Sequence, residues 1–418
     1  MGKNSFFEIL QKEVERIDSV KTSKRRERVI EGFTDDPSPK ALINGKKIRI
    51  FNSNDYLGLR HSPVLKKAEH DATEKYGAGP GAVRFISGSL KVYSDLEERV
   101  AKFHNREAGM VFSSAFAANL AVIFCLIQGQ SKDSVVDSNV LVISDALNHR
   151  SIIDGVRLAK LASEQKQIFK HKDINELAQL LEANKNTFKR VLILTDGVFS
   201  MIGEFQRLKK LMEVAKEYDK QYENGVLVVV DDAHGVGVAG ATGRGIEEVE
   251  AAACDVLVGT FGKAFGSDGG YVVANKFIID YLRESAATYI YSNPFSPGTA
   301  GAALESLALL DQAEGKELLK KSRENTAYFK EAMKKVGFKF AADSSHPIQP
   351  VLIGDPIKTR ELVDSLYKKG MLVTNISYPV VPKGSDEIRM QISAAHTKED
   401  LDFAISQMRE SGKNLSII

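Results

Sequence analysis

VLVVVDDAHG (226–235) is the stretch that decides the fold. Val226 to Val230 are all apolar and mostly β-branched. The run is too short for a helix, and it stops on Asp231-Asp232-Ala233-His234. A strand apolar on both faces belongs in a parallel sheet covered by helices on each side. Three further runs share this texture: VLVIS (140–144), VLILTD (191–196) and VLVGTF (256–261). Helical stretches such as INELAQLLEA and FQRLKKLMEVAKEYDKQ separate them. This alternation predicts an α/β domain with a mostly parallel sheet.

Outward from that core the texture changes at both ends. Residues 4 to about 31 read as a charged helix containing the basic run KTSKRRER, with Lys21, Lys24, Arg25, Arg26 and Arg28. Asp35-Asp36-Pro37-Ser38-Pro39 breaks it, and ALI and KIRIF flanking Asn44-Gly45 signal a hairpin. After Pro294 and Pro297 come a long helix (about 298–335), strand candidates at IQPVLIG, MLVTNI and EIRMQIS, a loop with Pro379 and Pro382, and a final helix from about 397. The expected organisation is an N-terminal helix and hairpin arm (1–50), a large α/β domain (51–297) and a smaller C-terminal α+β domain (298–418).

Composition narrows the function. Of 418 residues, 43% are hydrophobic and 27% charged, a globular balance that excludes disorder and collagen. Lys+Arg 57 against Asp+Glu 55 leaves a formal charge of +2, which gives no nucleic-acid footprint. Within KTSKRRER, Glu27 marks a solvated helix face. Two cysteines, Cys125 and Cys254, read as buried thiols of a cytoplasmic protein. The apolar stretch Ala115 to Ile127 is too short to span a bilayer, so no membrane is expected. No His/Cys cluster has metal spacing.

Parallel sheets present ligands at the carboxyl ends of their strands. Four strand ends deliver Asp145 to His149, Asp196 to Ser200, Asp231 to His234, and Thr260 to Lys263. Acid, imidazole, hydroxyl and amine thus share one rim. GVGVAG (Gly235, Gly237, Gly240) matches a dinucleotide fingerprint, but DDAH separates it from its strand and ATGRG follows where a helix should begin. Phe261-Gly262-Lys263-Ala264 lacks both the leading glycine and the trailing Ser/Thr of a phosphate-binding P-loop. Pyridoxal 5′-phosphate (PLP) chemistry does need an acid, an imidazole and a lysine together. SSAFAAN (113–119) opens a helix with small residues whose N–H groups suit a phosphate.

On NDYLGL (54–59), YGAGPGAVRFISGS (76–89), DALNHRSIIDG (145–155), TDGVFSM (195–201), VDDAHGVGVAGATGRG (230–245), GTFGKAFG (259–266) and QISAAHT (391–397), the chain resembles the α-oxoamine synthases. These are fold-type I PLP enzymes that condense an amino acid with an acyl-CoA. The resemblance implies that Lys263 is the Schiff-base lysine and the base at the substrate Cα. It implies Asp231 as partner of the pyridinium nitrogen, His234 and Ser200 at the ring's phenolic oxygen, and His149 stacked on the ring. Ala115, Phe116 and Thr260 would hold the phosphate, and Ser292 and Asn293 the phosphate of the other subunit in a homodimer. Arg389 would clamp the substrate carboxylate, with Asn54 lining the same pocket. His171 is read as a surface residue, and Asp232 as a neighbour that orients Asp231.

AVRFISGS, NHRSIIDGVRLAK and YPVVPKGSDEIRMQISAAHTKEDLDFAI resemble the members that join glycine to acetyl-CoA, the reaction whose reverse serves threonine degradation. Glycine with acetyl-CoA is therefore the expected pair. Alanine with a pimeloyl thioester (biotin synthesis) and serine with a palmitoyl thioester are the alternatives within the family. A non-catalytic binding subunit is the alternative outside it.

Overall fold

The computed structural model describes residues 3–19, 23, 25, 27–131, 133–378 and 380–418. Lys21, Lys24 and Arg26 of the basic run, and Pro379, lie outside the described residues.

The chain divides into Met1–Arg49 and Ile50–Ile418. The first unit holds a helix over Lys3–Ser19 and strands β1 (Gly32–Phe33), β2 (Ala41–Ile43) and β3 (Lys46–Ile50). Residues 27–31, inside the expected helix, carry no helix. The hairpin forms as the sequence implies. Asn44 (φ 50) and Gly45 (φ 70) take the left-handed conformations of a tight two-residue turn, and β2 pairs antiparallel with β3.

The second unit is built on a seven-stranded sheet. Its strands are β4 (Ala108–Phe112), β5 (Val140–Asp145), β6 (Lys166–Phe169), β7 (Arg190–Asp196), β8 (Val226–Asp231), β9 (Val256–Thr260) and β10 (Gly270–Ala274). They lie in the order β4-β10-β9-β8-β7-β5-β6. Strands β5 to β9 pair in parallel, whereas β10 runs antiparallel to both neighbours. Alternate residues feed two cores. Leu141, Ile143, Val191, Ile193, Val228 and Val230 face one, and Val140, Val142, Leu192, Leu194 and Val229 the other. Helices cover both, so the runs are apolar throughout.

A second, antiparallel sheet follows, of β11 (Lys339–Phe340), β12 (Ile348–Leu352), β14 (Thr374–Ile376) and β15 (Glu387–Gln391), in the order β11-β12-β15-β14. MLVTNI is split: β13 (Met371–Leu372) ends before Val373, and β14 begins after it. Helices Pro356–Lys368 and Lys398–Asn414 close this smaller domain over Val351, Leu362, Ile388, Met390 and Leu401. The long helix breaks at Asp311-Gln312 into Pro297–Leu310 and Ala313–Lys335. The first piece buries Ala300, Ala303 and Leu307 in the core of the large sheet. We therefore propose a boundary after Leu310 rather than at 297/298. GVGVAG leads into a loop bridged by Val236 and Arg244, and the helix after it is only Ile246–Glu250.

Candidate active site

Asp196 and Asp231 lie opposite each other in the register of β7 and β8. The strand ends around them enclose a cavity of about 240 Å³. It is lined by Ala115, Phe116, His149, Ser151, Asp196, Val198, Ser200, Asp231, Ala233, His234, Thr260 and Lys263. Eight positions expected from the sequence are among them: Ala115, Phe116, His149, Ser200, Asp231, His234, Thr260 and Lys263.

Each of these side chains is positioned by local chemistry. Helix Ala115–Ile127 begins at the cavity, capped by Ser114, whose hydroxyl accepts from Ala117 N at 3.1 Å. Gly270 permits this approach, because a Cβ there would stand 2.2 Å from Ala115 N. Asp231 accepts from Ala233 N at 3.0 Å and from Asn119 Nδ2 at 2.5 Å. The other Asn119 N–H reaches Ser151 Oγ at 2.9 Å, and Ser151 Oγ lies 2.7 Å from His149 Nδ1. Since Ser151 N also donates to that nitrogen, Nδ1 is the acceptor and Nε2 carries the proton. His149 thus caps helix Arg150–Leu158 while facing the cavity. Burial lowers its pKa, Asp231 opposing the shift.

Lys263 is held down to about 8 by burial, against the pull of Asp231 and Asp196. Asp196 is pushed well above the carboxylate range, by burial first and by Asp231 second. His234 is kept neutral by burial and by Lys263. Its Nδ1 lies 2.8 Å from Tyr56 Oη, and its carbonyl accepts from His346 Nε2 at 2.7 Å. The Thr260 hydroxyl donates to Gly269 O at 2.9 Å and accepts from Gly262 N at 3.1 Å, tying the lysine loop closed.

Four expected positions lie outside the cavity lining. Arg389 donates to the Ser200 carbonyl at 3.0 Å and to Asn54 Oδ1 at 3.3 Å, so both stand at the cavity's Ser200 end. Ser292 and Asn293 sit on a segment beside the exposed Tyr291. Asp232 supports the neighbouring turn instead of the cavity: its Oδ2 accepts from Ile246 N at 2.7 Å. Asn119 and Ser151 are site residues to which sequence reasoning gave no role, and Asp196 was placed on the rim without one. Asn119 and Ser151 lie inside two different helices and meet only through packing. Asp196 ends a strand like Asp231, and that signal was available.

The arrangement fits PLP: free N–H groups at a helix start for the phosphate, a fixed carboxylate for the ring nitrogen, and a buried amine of lowered basicity. Among the described residues, no group of three or more His, Cys, Asp or Glu could hold a metal ion. No described helix is long and apolar enough to cross a membrane.

Aminotransferase class I and II is the family that matches, over residues 46–408. The 8-amino-7-oxononanoate synthase of Petrotoga mobilis is 43% identical over 384 residues, covering 90% of this chain and 91% of that protein. Among solved structures, the serine palmitoyltransferase of Sphingomonas wittichii is 25% identical with a TM-score of 0.86, covering 100% of both chains. The 8-amino-7-oxononanoate synthase of Francisella tularensis is 26% identical with a TM-score of 0.71, over 88% of this chain and 98% of that one. The synthase name recurs across curated relatives from 43% down to 37% identity. That recurrence overturns the expectation of glycine with acetyl-CoA, and with it threonine degradation. Of the described residues in the stretches behind that expectation, only His149 and Ser151 line the cavity, and Arg389 reaches it through the Ser200 carbonyl.

Proposed function

From the premise that the chain belongs to the α-oxoamine synthases, within the class I and II aminotransferase family, we propose that it condenses alanine with a pimeloyl thioester to give 8-amino-7-oxononanoate. That one product name on relatives matched along nine-tenths of the chain is the observation that carries the reading. The name also fixes the chemistry. An amino group at C8 beside a ketone at C7 leaves seven carbons to the acyl chain and two, Cα and methyl, to the amino acid. The amino acid is therefore alanine, and its carboxylate departs as CO2. One C–C bond forms between Cα and the thioester carbonyl, and the thiol leaves.

The chain is a PLP-dependent acyl-transferring enzyme. Bound PLP supplies an electron sink for charge developing at Cα. Asp231, fixed by Asn119 and Ala233, would keep the ring nitrogen protonated. The first-turn N–H groups at Ala115 and Phe116 would hold the phosphate, the helix dipole adding to their attraction. Neutral His149 would cover one face of the ring, and His234 and Ser200 would approach its phenolic oxygen. Lys263, with its pKa near 8, is suited to take and return the Cα proton near neutral pH. Arg389 would bind the alanine carboxylate through its planar fork. Ser292 and Asn293 would complete the site of a second copy in a homodimer.

The test is a thiol-release assay in which alanine, glycine and serine are each crossed with pimeloyl-, acetyl- and palmitoyl-CoA. Alanine with pimeloyl-CoA should have the highest kcat/KM. A lead for serine with palmitoyl-CoA would move the chain to the other reaction named among its structural neighbours.

A further inference from the structure

His171 was expected to be a plain surface residue, yet its side chain is only 21% exposed and both ring nitrogens are engaged. Nδ1 lies 3.0 Å from Asp145 Oδ1, and Nε2 lies 3.0 Å from Glu204 Oε2. The ring therefore stands between two carboxylates, within hydrogen-bond distance of each. The ring also stands edge-on to buried Phe199, 4.3 Å between centroids at 87°.

The cluster reaches three segments. Asp145 ends β5 and accepts from the N–H groups of Leu147 and Lys172, each at 2.9 Å, on the way to His149. Gln206 Nε2 adds a longer contact to it at 3.4 Å. Glu204 also faces Lys172 Nζ at 3.5 Å. Glu204 belongs to the loop 197–206, which is tightly folded on itself: Phe199 N donates to Glu204 O at 3.0 Å, and Gly203 N to Phe199 O at 2.8 Å. The far side of that loop is Ser200, whose carbonyl accepts from Arg389.

We propose that His171 is a positioning residue for the amino-acid end of the site: bridging Asp145 and Glu204, it sets the loop whose Ser200 carbonyl aims the Arg389 guanidinium. The inference rests on reading Arg389 as the carboxylate clamp. Ser344 Oγ independently holds the Gly203 carbonyl at 2.5 Å, so loss of the bridge loosens the loop without unfolding it.

Two variants of the holoenzyme, His171→Gln and Glu204→Gln, test this with the substrate pair that turns over fastest. The first readout is steady-state kinetics, and the second is amide hydrogen exchange across 197–206. The KM for the amino acid should rise roughly five- to tenfold. The thioester KM should hold, kcat should stay within about twofold, and exchange in the loop should quicken. His171→Arg, which can donate to both carboxylates, should restore the amino-acid KM. Unchanged loop exchange overturns the inference. So does faster exchange with an unchanged amino-acid KM, or a joint change in which kcat and thermal stability fall while both KM values rise. Arg389→Lys is run alongside. If it leaves the amino-acid KM alone, the clamp reading has failed, and loop exchange alone then judges the bridge.

Discussion

A lysine in water keeps its proton to about pH 10.4, whereas Lys263 in its buried pocket gives it up near 8. Burial penalises the charged amine more than Asp231 and Asp196 can repay. Because only the neutral amine is a nucleophile, cofactor uptake by the apo-protein should accelerate as pH rises and level off above about 8. Growth of the visible band near roughly 420 nm checks this, and Lys263→Ala should never develop it. Ser151 makes a second prediction. Its hydroxyl links His149 Nδ1 to Asn119 and through it to Asp231, so Ser151→Ala leaves buried Asn119 and the His149 ring each short of a partner. Unmet groups of this kind cost about 1–3 kcal/mol. Turnover should fall on the order of tenfold, while Ser151→Thr, which keeps the hydroxyl, should retain more activity.

Strand β15 carries a buried acid, Glu387, 1% exposed, and among the described residues neither of its carboxylate oxygens has a hydrogen-bond partner. Burial lifts its pKa to about 8, with Arg389 opposing. The folded state therefore holds a proton that the unfolded chain releases near 4.5, and stability should decline as pH rises from there to about 8. Glu387→Gln should flatten that decline and raise the Tm at pH 8, measured against wild type at pH 5. The strands that were legible, β5, β7, β8 and β9, carry unbroken Val/Leu/Ile runs, and the run is itself the signal; β10 is buried along its whole length too but opens on Gly270-Tyr271. Lys166–Phe169 at the sheet edge and Gly270–Ala274, antiparallel and five residues long, give no such run. The 298–335 helix reads as continuous because its break at Asp311-Gln312 contains neither glycine nor proline. Side chains at strand ends were likewise readable as a site, since each interrupts an apolar run. Asn119 and Ser151 sit inside helical sequence, and His171 in a charged turn, so only tertiary packing reveals their partners.

Across the molecule, the family's cofactor machinery could be read from motifs, but the choice of substrate could not, because pocket shape comes from segments far apart in sequence. Ser292 and Asn293 bear on assembly. If they serve the neighbour's site, Lys263→Ala chains mixed with Ser292→Ala/Asn293→Ala chains should regain activity. Random pairing makes half the dimers hybrids with one intact site each, so about a quarter of wild-type activity should return. No recovery would place those residues in their own chain's site or outside any. The most direct test of the central claim follows the alanine carboxylate. With carboxyl-labelled alanine and pimeloyl-CoA, the account predicts one labelled CO2 per thiol released and a nine-carbon amino-keto acid retaining the methyl group. Thiol release with the label left in the product, or none at all while another amino acid reacts, would contradict it.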